Sequence, residues 1–363
     1  MAKGCGRRVV VKVGTGVLTS AIGQIDASKM GAICAQIARA RAGGAEIALV
    51  SSGAVGLGMG KLGLKARPKQ ICALQKCAAV GQSVLIHMWE ELFDSHGLSV
   101  AQLLLTRDSF DSRPRTRALR ELVEELLRCG IIPVINENDS LSAAELNLKF
   151  GDNDILSALV ATLIKATDLV ILSTAKGLLD MRGGGEMVKL VDRVTPEIRA
   201  MASGTSSATA VGGMITKIKA AEIATGEGCD VYIADGLQPD SLSRILAGEN
   251  PGTRFAAYRS CANSKKRWLA YFGRSIGKIF VDEGAAVAVR SRGSSLLSAG
   301  VRGVSGKFQS GALVEVVDFS NGDVVARGLA RMDSEALRGI LDSGKSGAAG
   351  SKIVVHRDNL ALV

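Results

Sequence analysis

Aromatic residues make up only 4% of these 363 residues, which argues against an aromatic-filled β-sandwich. The seven cysteines (5, 34, 72, 77, 129, 229 and 261) are odd in number and include no C-x-x-C pair. They show no Cys/His ligand spacing either, so neither a zinc site nor a disulfide framework is expected. Scattered cysteines of this kind suit the core of a reduced, cytoplasmic protein. No stretch of ~18 apolar residues is free of charge, so no membrane span is expected. Lys12 interrupts the N-terminal apolar run, which argues against a signal peptide. Histidine is scarce as well: His87, His96 and His356 are the whole set, and none stands in a polar, glycine-rich run.

Two nucleotide-binding motifs are present in outline and lack their context. Residues 339–346, GILDSGKS, fit the P-loop pattern. A P-loop follows a strand and opens a helix, whereas here a helical pattern precedes the motif and a strand pattern follows it. Gly14-Thr15-Gly16 would begin a dinucleotide fingerprint only with Gly or Ala at position 19, which is Thr19.

What the chain does have is glycine, 43 of them, with 47% hydrophobic and 22% charged residues. That composition describes a globular α/β protein with many tight turns. The net charge of +10 favours anionic partners, phosphates or nucleic acid. The densest basic stretch, 254–274, holds six Lys/Arg and no acid. It reads as a solvated interdomain linker; RNA contact is the alternative, and its KKR run is too short to establish that.

Strand and helix patterns alternate through residue 240. VVVKVG (9–14), LSVAQLLLT (98–106), IIPVINEND (131–139), DLVILST (168–174) and DVYIADG (230–236) read as strands, and EIALVSSGAVGLG (46–58) as a strand running into a glycine-rich loop. Residues 26–44, 71–96, 116–130, 152–166 and 212–228 carry helical spacing. This alternation implies a mostly parallel sheet covered on both faces. Ligands bind beyond the carboxyl ends of such strands. The runs GTG, SSGAVG, NEND and STAKG all stand at those ends. After residue 275 short strand patterns recur about every ten residues, including KIFVDEGAAVAV, and suggest a small β-rich barrel. A capped helix at 333–341 and a last strand at 351–358 complete it. The expected domains are 1–253, a linker 254–275, and 276–363.

Lys12 at a strand end can place a charge on a phosphate, and the glycines beside it admit backbone amides. VGGMITK (211–217) repeats the arrangement with Lys217 at the start of a helix. Between them lie N136-E137-N138-D139 and D152-N153-D154, suited to holding magnesium indirectly, binding an ammonium group or orienting lysines. One of Asp152, Asn153 and Asp154 is also expected to cap the helix that follows.

VVVKVGTGVLTS, VSSGAVGLG, INENDS, FGDNDILSALVATL and GGMITKIKAAEIA, taken in order, resemble the successive motifs of the amino acid kinase superfamily. NEND followed by GDND resembles its glutamate 5-kinase branch. VDEGAAVAV, GSSLLSAGV and ARGLARMDSEALRGI are similar to the PUA domain that ends many of its members. The resemblance implies a three-layer αβα sandwich plus a small PUA β-domain. It also implies the reaction of ATP and Mg²⁺ with L-glutamate that opens proline synthesis, the metal arriving with the nucleotide. On this likeness Lys12 and Lys217 neutralise phosphates and Asp154 holds them; Ser52, Asp139 and Asn153 bind glutamate. The same likeness implies that Lys12, Gly14, Thr15, Ser173, Thr174, Val211, Gly212, Gly213, Met214, Ile215, Thr216 and Lys217 line the nucleotide site. The family also implies a homo-oligomer, dimer or tetramer, and glutamyl phosphate reductase as the next enzyme.

Three positions depart from that pattern: Gly16 replaces a hydroxyl residue, Thr174 an aspartate and Val211 a threonine. Glutamate's γ-carboxylate, with a reference pKa of about 4.3, is ionised at neutral pH and needs no general base. The scarcity of histidine is consistent with such an acceptor. The alternatives are a related kinase with another acceptor, or an RNA-binding role through the small domain. That domain (276–357) carries 11 Lys/Arg against 8 Asp/Glu, a weak excess for a dedicated RNA binder.

Overall fold

The computed structural model describes residues 6–362 except 22, 111, 142–152, 182–183, 203–212, 259–265, 267, 274 and 344–350. The chain divides into two compact units, Met1–Ser109 with Arg117–Ser260, and Phe110–Thr116 with Cys261–Val363.

In the first unit strands and helices alternate: β1 (Arg8–Val13), α1 (Thr15–Leu18), the hairpin β2 (Thr19–Ala21) and β3 (Gln24–Ile25), α2 (Ala27–Ala42), β4 (Glu46–Ser51), α3 (Ala54–Lys61) and α4 (Ile71–Asp94). Then come β5 (Val100–Leu105), α5 (Arg113–Arg128, of which the residues from Arg117 on belong to this unit), β6 (Ile132–Glu137), α6 (Asn153–Ile164), β7 (Asp168–Ser173), and the hairpin β8 (Leu179–Asp180) and β9 (Glu186–Met187). β10 (Leu190–Val191), α7 (Pro196–Met201), α8 (Met214–Thr225), β11 (Asp230–Asp235), α9 (Ser241–Leu246) and β12 (Thr253–Phe255) close the unit. Eight strands form one sheet in the order β10-β12-β11-β7-β1-β4-β6-β5. The strands from β11 to β5 run parallel, and β12 is antiparallel to β11.

β1 lies between β7 and β4 and is buried on both faces. Side chains alternate across a strand, so its two faces meet different layers. Val9, Val11 and Val13 join the core made with Met30, Ile33 and Ile37 of α2, Leu85 and Trp89 of α4, and Leu242 of α9. Lys12 has the other parity and meets α6. At the far end of β1, Arg7 donates two 2.8 Å hydrogen bonds to the Asp168 carboxylate. Arg8 bonds Glu46 at 2.7 Å and the Ile164 carbonyl at 2.6 Å. These clamps tie β1 to the starts of β7 and β4 and so hold the register of all three strands.

α2 starts where Asp26 accepts from the Ser28 and Lys29 amides. α4 is long and apolar enough to cross a bilayer by length and composition alone. A stripe of it, Cys77, Ala78, Gly81, Gln82, Leu85, Trp89 and Phe93, is buried in the protein. Its contact with α3 is backbone on backbone. A Cβ on Gly81 would stand 1.8 Å from the Ala54 oxygen, and one on Gly58 would stand 1.8 Å from the Cys77 oxygen.

The second unit holds β13 (Gly277–Val281), α10 (Glu283–Arg292), β14 (Leu296–Leu297), β15 (Val301–Ser305), β16 (Leu313–Asp318), β17 (Val324–Ala330), α11 (Ser334–Asp342) and β18 (Ile353–Leu362). The expected small β-domain is a six-stranded sheet ordered β14-β18-β17-β16-β13-β15 around Ile279, Val281, Val314, Val316 and Val354. One strand expectation fails here: GAAVAV is helix, not strand. Asp282 caps it by accepting from the Ala285 amide at 2.9 Å, and Gly293 ends it with φ +58. Those two end signals outweigh the β-preference of two valines.

Both ends of the stretch expected as a linker are structured. Thr253–Phe255 is a strand of the first sheet, and Arg254 bonds Asp230 at 2.8 Å. Trp268–Phe272 forms a turn of π-helix whose Leu269 and Ala270 pack with Leu313 and Ala361. In the P-loop-like stretch Gly339 belongs to α11, while Gly344, Lys345 and Ser346 lie outside the described residues.

Gly81→Ala forces α3 and α4 apart and costs about 3 kcal/mol or more. A urea titration of this variant shows a midpoint well below wild type, whereas Gly56→Ala, with open space around its Cα, leaves the midpoint nearly unchanged.

Candidate active site

Three parts of the fold deliver charge to one edge of the large sheet. Lys12, 4% exposed, leaves β1 toward α6. Asp154, fully buried, stands in the first turn of α6. Lys217, 6% exposed, stands in the first turn of α8. Lys12 Nζ lies 2.5 Å from Asp154 Oδ1, and Lys217 Nζ lies 3.1 Å from Asp154 Oδ2. The Thr216 hydroxyl adds a 3.0 Å bond to Oδ2 and a 2.9 Å bond to the Gly213 carbonyl. Burial alone would raise the Asp154 pKa, but attraction to Lys12 and Lys217 outweighs it and holds the group below the usual carboxylate range.

The cap expected among Asp152, Asn153 and Asp154 is not formed by the two that are described. α6 begins at Asn153; the Asn153 side chain bonds Ser52 and Asn136, and that of Asp154 pairs with Lys12 and Lys217. Asp152 lies outside the described residues, as do Val211 and Gly212.

Asn153 begins a second cluster. Its Nδ2 donates to Ser52 Oγ at 2.8 Å and to Asn136 Oδ1 at 3.0 Å. Its Oδ1 is buried and has no hydrogen-bond partner among the described residues. Asn136 Oδ1 also accepts from the Glu137 amide at 2.9 Å, and Asn136 Nδ2 donates to Gln82 Oε1 at 2.8 Å. Trp89 Nε1 donates to Ser51 Oγ at 2.9 Å. Asp139 follows β6 by two residues at the same edge. Gly53 adopts φ +116, which lets the chain turn from β4 into α3 directly after Ser52.

On the other side of Lys12, the Gly14 amide bonds the Leu172 carbonyl at 3.0 Å. A Cβ on Gly14 would stand 3.6 Å from Lys12 Nζ, so glycine keeps the space beside that cation open. Thr15 opens α1, and Ser173 ends β7 with its Oγ accepting from the Ala175 amide at 3.0 Å. A Cβ on Gly16 would lie 2.9 Å from the Thr174 methyl group, so two of the three departures from the family pattern are neighbours. At the start of α8, Gly213 is exposed with open space about its Cα, Met214 is buried and Ile215 is 59% exposed. Two cations, adjacent glycine backbone and a helix N-terminus make a site suited to a polyphosphate with its metal ion.

Gln82 and Trp89 carry no motif in the sequence. The available signal was a glutamine on the buried stripe of an otherwise apolar helix. Asn136 was visible in the NEND run but had no assigned role.

The sheet order and an aspartate bridging two buried lysines suit a phosphotransferase of the amino acid kinase class. The sequence matches the Amino acid kinase family over residues 7–235 and the PUA domain over residues 277–348. The fold resembles carbamate kinase from Giardia lamblia bound to AMP-PNP, with TM-score 0.50 and 17% identity over 70% of this chain and 99% of that one. Glutamate 5-kinase of Moorella thermoacetica is 42% identical over 368 residues, covering 98% of this chain and 96% of the relative. The glutamate 5-kinase of Myxococcus xanthus is 43% identical over 98% of this chain and 96% of its own length. That of Dehalococcoides mccartyi strain CBDB1 is 38% identical over the whole of both chains. The chain belongs to the amino acid kinase family and, within it, to the glutamate 5-kinases that carry a C-terminal PUA domain.

Asp154→Asn leaves two buried lysines without their counter-charge and lowers stability by on the order of 3–5 kcal/mol. The native pKa of Asp154 is depressed, so its stabilisation is present above the ordinary Asp value and is lost as pH falls through the native one. Denaturant titrations from pH 7 down to pH 2 therefore show a shallower acid loss in Asp154→Asn than in wild type.

Proposed function

We propose that the protein transfers the γ-phosphoryl group of ATP to the γ-carboxylate of L-glutamate, giving ADP and L-glutamyl 5-phosphate, the first step of proline biosynthesis. The observation that carries this reading is the Lys12–Asp154–Lys217 bridge. It stands beside a cluster of amide and hydroxyl groups suited to an amino acid. A carboxylate oxygen attacks phosphorus, the bond from phosphorus to the ADP oxygen breaks, and that oxygen keeps the electron pair. No proton has to move, so the residues act by position and charge.

Lys12 and Lys217 approach the reacting phosphoryl oxygens from two elements, and Asp154 sets their spacing. Glycine at positions 14 and 213 gives the phosphates access to backbone amides. Mg²⁺ bound with the nucleotide supplies further neutralisation of the phosphate charge. Ser52, Asn153 and Asp139 hold the acceptor, with Asn153 Oδ1 free to accept from its α-ammonium group. The nucleotide lies against Thr15, Ser173, Thr174 and the start of α8.

The product is a mixed anhydride that water destroys, which favours rapid hand-over to a glutamyl phosphate reductase in the same cytoplasm. A homo-oligomeric enzyme fits the family resemblance.

The direct test is ADP release with L-glutamate, with and without Mg²⁺. N-acetylglutamate, aspartate, carbamate and a nucleoside monophosphate serve as competing acceptors. Turnover with Mg²⁺ and L-glutamate at least tenfold above every other acceptor is the expected result. Preferred turnover of another acceptor would replace the assignment. Lys217→Ala lowers kcat on the order of 10²–10³-fold, because it removes one preorganised cation from the developing charge. Steady-state kinetics of the folded variant, with its circular dichroism as control, checks this.

A further inference from the structure

We infer that Gln82, on α4, is a positioning residue for the acceptor amine: it locks Asn136, which in turn fixes the orientation of the Asn153 amide. The inference rests on the acceptor assignment above and adds a residue that no sequence motif marks.

The chain of amides can be followed atom by atom. The Glu137 backbone N–H is a donor that cannot be reversed, and it meets Asn136 Oδ1 at 2.9 Å. The Asn136 side chain is 2% exposed, so its Nδ2 needs a buried acceptor, and Gln82 Oε1 supplies one at 2.8 Å. With Oδ1 of Asn136 held in this orientation, the group facing it must be a donor. Asn153 presents Nδ2 there at 3.0 Å and to Ser52 Oγ at 2.8 Å. The Asn153 oxygen is then turned away from both partners. It is buried and has no hydrogen-bond partner among the described residues.

An ammonium group can only donate, so it selects the oxygen of an amide and is repelled by its NH₂. The relay therefore decides which face of Asn153 the substrate meets. Gln82 itself is 9% exposed, and the helix that carries it touches α3 backbone to backbone at Gly81, the preceding residue. Its place relative to Asn136 is therefore set by packing.

The test uses the full-length enzyme and the variants Gln82→Met, which keeps size and removes the acceptor, and Gln82→Glu, which keeps an acceptor oxygen. Two acceptors are compared, L-glutamate and glutarate, which lacks the amine. Wild-type turnover of L-glutamate is measured first, and its absence would overturn the acceptor assignment itself.

With wild type active, Gln82→Met is expected to raise KM for L-glutamate on the order of tenfold, the weight of one misdirected hydrogen bond to a charged group. KM for ATP stays within about twofold, because a single distant side chain contributes little there. The preference for L-glutamate over glutarate falls by a factor similar to the rise in KM. Gln82→Glu recovers most of that preference, and it also provides the reading should Gln82→Met fail to fold. An unchanged glutamate-to-glutarate preference in folded Gln82→Met overturns the positioning role, as does an equal loss for both acceptors or for ATP. If only Gln82→Glu folds, a wild-type-like preference supports the role and a preference lost despite the retained acceptor overturns it.

Discussion

One carboxylate shared by two lysines organises the candidate site of this protein. Asp154 is fully buried, and an isolated charge at that depth would be costly. It is tolerable because Lys12 and Lys217 arrive from two other elements. The dependence is mutual, since neither lysine would be held beside the other without it. The sheet order serves the same pairing: β1 sits centrally, and its end meets α6, which packs against the helix that precedes β11. Arg7 and Arg8, at the opposite end of β1, secure the strand against sliding.

Apart from Asp139, the groups proposed to hold the acceptor are neutral. Ser51, Ser52, Asn136 and Asn153 are joined to α4 through Trp89 and Gln82. This division matches the ligands in the proposed reaction. A polyphosphate gains most from cations held in place, whereas an amino acid must be distinguished by direction, which amides and hydroxyls provide. Proximity of the two halves is covalent as well as spatial, because Asn153 and Asp154 are consecutive residues at the start of α6.

Much of this is legible in the sequence. Lys12, Lys217 and Asp154 each stand next to glycine or to the start of a periodic helix, and strand alternation brings those ends together. The strand order needed tertiary information, as did the pairing of Gln82 with Asn136 and of Trp89 with Ser51. These pairs span 54 and 38 residues, and no local pattern links them. The helix at Glu283–Arg292 was missed for a different reason. Its alanines and valines read as strand in a region of strands, while the deciding information lay in Asp282 and Gly293 at its ends.

The parity of β1 also limits how the chain can change its length. Lys12 faces α6 only because an odd number of residues separates it from Val10 and an even number from Val9 and Val11 in the two-residue repeat of the strand. Inserting or deleting one residue between Arg8 and Lys12 would turn the lysine into the valine-lined core and bring a valine to the face that meets α6. A change of two residues would restore the face but move the charge by roughly 6–7 Å along the strand. The strand can therefore exchange one valine for another apolar residue, yet it has no tolerance for insertions or deletions. Its length is as much a part of the candidate site as its lysine.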